Sequence, residues 1–78
     1  MCRIRCTVKS GLIESERVAS IATSDGSREE VSLSASMLEG GALHASMVEQ
    51  DEKRTLIELP REAASGKWRL WVDNTELL

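Results

Sequence analysis

Apolar and polar residues alternate along most of this chain. Cys2, Ile4, Cys6 and Val8 fall on one side, and Arg3, Arg5, Thr7 and Lys9 on the other. Successive side chains point to opposite faces only in an extended backbone, so this alternation predicts a half-buried strand. Ser10-Gly11 ends it. Glu16 to Thr23 admits two readings. As a helix, Ser15 would cap it and Val18, Ile21 and Ala22 would form an apolar stripe. As a strand, it would pair across a hairpin with the segment that follows. Asp25-Gly26 favours the strand, because this dipeptide supplies the positive φ of tight hairpin turns.

Glu29 to Met37 alternates most clearly, with Val31, Leu33, Ala35 and Met37 facing one way and Glu30, Ser32, Ser34 and Ser36 the other. A helix would scatter those serines around its circumference. Glu39-Gly40-Gly41 reads as a turn. Leu43, Ala45 and Met47 line a further strand, with His44 and Ser46 opposite. Glu49 to Lys53 reads as a loop and Thr55 to Leu59 as a short strand. Pro60 to Ser65 reads as one helical turn, because proline suits the first helical position and Gly66 would stop it. Trp68, Leu70 and Val72 share the inner face of the last strand; Arg69 and Trp71 face outward. Asp73-Asn74-Thr75 turns the chain, and Leu77-Leu78 can fold back as a lid, which is one way to cover Trp71.

Five or six short strands with turns about every eight to twelve residues describe an all-β fold. The expected architecture is a single domain over residues 1–78, a five- to six-stranded antiparallel barrel, SH3-like or OB-like, with the helical turn near residues 60–65. Closure into a barrel would remove the open edges of a flat sheet.

Composition sharpens this. With 78 residues, two Trp and neither Phe nor Tyr, the core must be thin and aliphatic. The formal charge of −3 gives no general attraction for phosphate backbones. No apolar run reaches the roughly 20 residues of a membrane span, and no secretory h-region follows Met1, so a cytoplasmic protein without membrane contact is expected. Cys2 and Cys6 on one extended strand lie about 13 Å apart, at about 3.3 Å per residue. A disulfide needs about 7 Å or less. The same spacing keeps both thiols from one zinc ion, so no metal is expected.

No catalytic residue stands out. Cys6 lacks a base, since His44 is the lone histidine and faces away from Leu43. Glu29-Glu30 and Asp51-Glu52 lie at turns, where like charges usually sit in water. Gly40-Gly41 lacks the spacing and lysine of a phosphate loop. No cofactor is implied.

The Met1-Cys2 start and Arg28-Glu29-Glu30-Val31-Ser32-Leu33-Ser34 faintly resemble the small OB-fold chaperones of hydrogenase assembly. The cysteine after the initiator Met is that family's functional residue and would map onto Cys2. The chain departs from the pattern at Arg3-Ile4-Arg5, where the family runs through small apolar residues to a proline. It departs again at Lys67 to Val72, which reads as strand where the family is helical. The chain is not assigned to that family.

What remains is binding. Trp71, forced outward if Trp68 packs inward, is the leading contact residue. The expected function is a non-enzymatic module that binds another protein or itself, as a homodimer, through an exposed strand face. The alternative is a nucleic-acid-binding barrel using Arg3, Arg5, Lys9, Arg69 and Trp71, with Arg69 joining the basic strand if the first and last strands are neighbours.

Overall fold

The computed structural model describes residues 1–78. It is all-β, with strands β1 (Cys2–Arg5), β2 (Thr7–Ser10), β3 (Glu16–Ala22), β4 (Arg28–Ser34), β5 (Leu38–Glu39), β6 (Ala42–Gln50), β7 (Arg54–Glu58) and β8 (Arg69–Asp73). All pairing is antiparallel. One sheet has the order β1-β6-β7-β8, with β5 added to the start of β6; the other is β2-β3-β4. The first strand of the alternation pattern therefore serves both sheets. β1 pairs with β6, the Cys6 N–H donates to the Gly41 carbonyl, and β2 pairs with β3.

The two sheets share one core, which includes Ile4, Ile21, Val31, Leu33, Leu43, Ile57, Leu70 and Val72. Alternation holds at the centre of each strand. In β4, Val31 and Leu33 point inward and Glu30, Ser32 and Ser34 outward. It fails at the ends. β2 is exposed throughout, Val8 included. β4 stops at Ser34, whose hydroxyl accepts the Ser36 N–H and turns the chain into a 3₁₀ turn over Ala35–Met37. That turn leaves Met37 exposed. Met47 lies opposite the buried Ile57 yet is 46% exposed, beside the β-bulge between Met47 and Glu49. β6 runs on to Gln50, so the expected loop shrinks to a tight turn closed by Asp51 N–H to the Arg54 carbonyl.

Glu16–Ala22 is a strand, and its hairpin with β4 turns at Asp25-Gly26. The Thr23 N–H donates to the Ser27 carbonyl, and the Gly26 N–H to the Thr23 carbonyl. Gly26 has φ 88°, the left-handed value that a three-residue hairpin loop requires. The same pattern recurs at Ala63 to Lys67. Ala63 N–H donates to the Lys67 carbonyl, Gly66 N–H to the Ala63 carbonyl, and Gly66 has φ 91°. This replaces the helical turn expected at 60–65. The Leu59 N–H donates to the Trp68 carbonyl, so β7 and β8 form one long hairpin with its tip at 63–67. Trp68 lies just outside the β8 ladder and is 50% exposed rather than inward.

The sheets do not close into a barrel. β1 and β8 stand at opposite ends of their sheet. The tail does not cover Trp71 either; Leu77 bridges Ile4 and packs on the core, and the Leu78 N–H donates to the Arg3 carbonyl. Between β4 and β8 there is a seam without a ladder. Backbone bonds tie it at two points, Ser24 N–H to the Trp71 carbonyl and Ala64 N–H to the Glu30 carbonyl. The Glu29 side chain adds a third tie, to the hairpin tip. Glu29 is buried, not solvated as its place near a turn suggests. Its carboxylate accepts the Ser65 hydroxyl at 2.6 Å and lies 3.5 Å from Lys67 Nζ.

Ser65 and Lys67 are exposed and can turn to water, so what is lost with Glu29 is the net contribution of a hydrogen bond to a charged group, about 1.5–3 kcal/mol. Glu29→Ala is therefore expected to lower the urea unfolding free energy by about that amount. Glu30→Ala, at an exposed position in the same strand, should stay within about 0.5 kcal/mol of wild type. Equal effects of the two substitutions would contradict the role given to Glu29.

Candidate functional site

The solvent-facing side of β6, β7 and β8 carries the most organised surface of the molecule. Ladder pairing sets it in ranks. Arg54 pairs with Asp73, Leu56 with Trp71, and Glu58 with Arg69. Because Thr55, Ile57, Leu70 and Val72 point into the core, strand alternation turns all six of these residues outward. Glu49 pairs with Leu56 on the β6 side, and Val48, at the bulge, is 42% exposed. The middle rank thus runs Glu49–Leu56–Trp71, an apolar pair with an acid at its β6 end, and lies between two charged ranks.

Trp71 is half-buried, and the Arg54 guanidinium lies over its ring, 4.2 Å from the centroid. A cation over an indole face is attracted by the ring quadrupole. Arg54 also meets Asp51 through Nε at 3.4 Å, and Arg69 meets Glu58 through Nε at 3.2 Å. Asp73 precedes the final 3₁₀ turn without capping it.

Beside Trp71 a hollow of about 270 Å³ opens at the seam between β8 and the Thr23–Ser27 turn. Arg54, Lys67 and Arg69 reach it from one side and Asp25 from the other. Asp25 is held far below the ordinary carboxylate range by hydrogen bonds, first from the Thr23 hydroxyl and then from the Ser27 hydroxyl and N–H. Asp51 is lowered likewise by the N–H groups of Lys53 and Arg54. A second hollow of about 510 Å³ is lined by Ser24, Asp51, Glu52, Lys53, Arg54 and Asp73. With no apolar side chain in its wall, it offers nothing to an apolar small molecule.

The structure separates the residues of the expected basic strip. Arg69 and Trp71 share the β8 face, but β6 and β7 stand between them and β1. Arg3 and Arg5 belong to one sheet and Lys9 to the other. Arg5 faces Glu76 at 3.9 Å, and Lys9 faces Glu30 at 3.0 Å. Both thiols are raised above their ordinary value, Cys2 and Cys6 alike by burial, and each Sγ points to a backbone carbonyl, of Ala45 and Gly41 respectively. A raised pKa keeps a thiol protonated and unreactive at neutral pH.

Arg54 and Leu56 were not among the residues expected at the site. The register that sets Leu56 opposite Trp71 belongs to the β7–β8 hairpin, whose tip at residues 63–67 is hidden while Pro60 to Ser65 reads as a helical turn. No protein-family model, no curated protein and no solved structure matches the chain. No helix is long and apolar enough to cross a membrane.

The Asp25 turn gives a pH prediction. A carboxylate with a lowered folded pKa adds stability that is fully present above its ordinary value of 3.8 and is lost as pH falls through the folded value. The carboxyl ¹³C shift of Asp25 should titrate below 3.8. Asp25→Asn should flatten the loss of stability in acid. A midpoint at or above the ordinary value would contradict the hydrogen-bonded turn.

Proposed function

We propose that the chain is a non-enzymatic binding module that engages protein through the outer face of β6, β7 and β8. The observation that carries this reading is the half-buried Leu56–Trp71 pair on the outer face of the sheet, with Arg54 over the indole and charged ranks on either side. Protein interfaces have this anatomy, with an apolar or aromatic centre inside a polar rim. Trp and Arg are also the residues on which binding energy concentrates.

The pairing of cations favours protein over nucleic acid. Arg5, Lys9, Arg54, Lys67 and Arg69 each lie within 4.0 Å of a carboxylate. A phosphate chain would have to displace these partners from a protein whose formal charge is −3.

A photo-reactive benzoylphenylalanine in place of Val48 tests the reading in the full chain, in extract of its own cells. The expected result is a discrete, protease-sensitive adduct that Leu56→Glu abolishes. The same group in place of Ser32, exposed on the other sheet, should give none. An adduct removed by nuclease, equal adducts at both positions, or no adduct would contradict the proposal.

A further inference from the structure

We infer that the occupant of this face is a basic, extended segment of a partner protein, in which two cationic residues four apart flank an apolar one. This rests on the reading of the face as a protein-binding surface and names what fits it. The charge left over on the face carries the inference. Both of its cations are matched within the chain, Arg54 by Asp51 at 3.4 Å and Arg69 by Glu58 at 3.2 Å. The chain's ion pairs use Glu29, Glu30, Glu39, Asp51, Glu58 and Glu76. Glu49 and Asp73 are exposed and have no such partner, and Asp73 makes no capping hydrogen bond. Two cations against four carboxylates leave the face acidic. A basic segment is attracted to it, whereas a nucleic acid or a second copy of this chain, with its formal charge of −3, is repelled.

The register sets the spacing. Glu49 ends the middle rank on the β6 side, and Asp73 ends the Arg54 rank on the β8 side. They stand at opposite corners, two strand spacings and two residues apart, which is roughly 12 Å. The line between them passes beside Leu56 and the indole that Arg54 covers. In an extended chain, residues i, i+2 and i+4 face the same way, and the outer two lie about 13 Å apart. Such a segment, laid diagonally, brings its outer cations to Glu49 and Asp73. Its central apolar side chain rests on Leu56 and on the open edge of Trp71, while Arg54 stays on the ring.

The size of the face favours a segment over a folded domain. Three strands about 4.8 Å apart, with about 3.3 Å per residue along five-residue strands, give a footprint of roughly 14 by 16 Å. That is well below the roughly 800 Å² per partner of a standard interface. About five extended residues cover it, so dissociation is expected on the order of 0.1–1 mM.

Amide and indole N–H shifts of the full chain, titrated at low salt with the capped peptide Gly-Arg-Ser-Leu-Ser-Arg-Gly, test the inference. Shifts should centre on Glu49, Leu56, Trp71 and Asp73. The same peptide with serine in place of leucine should bind about fivefold more weakly. The respaced peptide Gly-Arg-Arg-Ser-Leu-Ser-Gly should bind about threefold more weakly, and Glu49→Gln and Asp73→Asn should each cost about threefold. Glu49→Lys/Asp73→Lys should instead prefer Gly-Glu-Ser-Leu-Ser-Glu-Gly. Amide spectra confirm that each variant is folded. No binding of the basic peptide, equal binding of the acidic or the respaced one, or affinity unmoved in both Glu49→Gln and Asp73→Asn would overturn the inference. Trp71 shifts that follow the chain's own concentration rather than the peptide's would make a second copy the occupant and overturn it as well. A photo-adduct at position 48 without binding of the basic peptide leaves the face standing and removes its basic occupant; no adduct removes both.

Discussion

Two small sheets share one apolar core in this chain, and both of their common borders are tied. Along one border the chain does this covalently, passing from β1 to β2 through Cys6. Along the other, between β4 and β8, the work falls to the seam. A ladder there would close a barrel, but the β4 edge meets the tip of the β7–β8 hairpin instead of a strand. Two backbone bonds and the Glu29 carboxylate, held by Ser65 and Lys67, take the ladder's place. Burying a carboxylate is costly unless it is hydrogen-bonded and paired. Here it is both.

The seam also positions the binding face. The Ser24 N–H donates to the Trp71 carbonyl, which occupies one acceptor at the middle of the outer edge of β8. Leu77 covers β1 in the same way, and Lys9 guards the exposed β2, as charged residues commonly do on edge strands. With its edges occupied or blunted, the molecule offers partners a sheet face. That face is ordered because Ile57, Leu70 and Val72, fully packed on the other side, leave Leu56, Arg69 and Trp71 no direction but outward.

How much of this was legible in the sequence depends on whether a residue's neighbours are local. Ile4, Val31, Leu33, Leu70 and Val72 are inward as their alternation requires, and the turns at Asp25-Gly26 and Gly40-Gly41 are where glycine must take positive φ. Long-range bonds overrode local preference elsewhere. Pro60 to Ser65 has the composition of a helical turn, but the Ala63 and Ala64 N–H groups are taken by Lys67 and by Glu30 across the seam. Val8, Met37 and Met47 continue an alternating pattern past the end of the core, where period two carries no information about burial. Glu29 has an ordinary surface composition around it; only the fold brings Ser65 and Lys67 to it. Trp71 and Arg69 could be placed outward from strand period alone, whereas Arg54 over the indole required the β7–β8 register.

The claim on which the rest depends is that the seam holds the two sheets together as firmly as a ladder would. Amide hydrogen exchange measures it directly at Ser24 and Ala64, whose N–H groups cross the seam to Trp71 and Glu30. Protection at both, comparable to that of Ile57 and Leu70 within the ladder, is the expected result. Exchange at both amides as fast as in an unstructured chain would mean that the border is open and that the seam does not hold it.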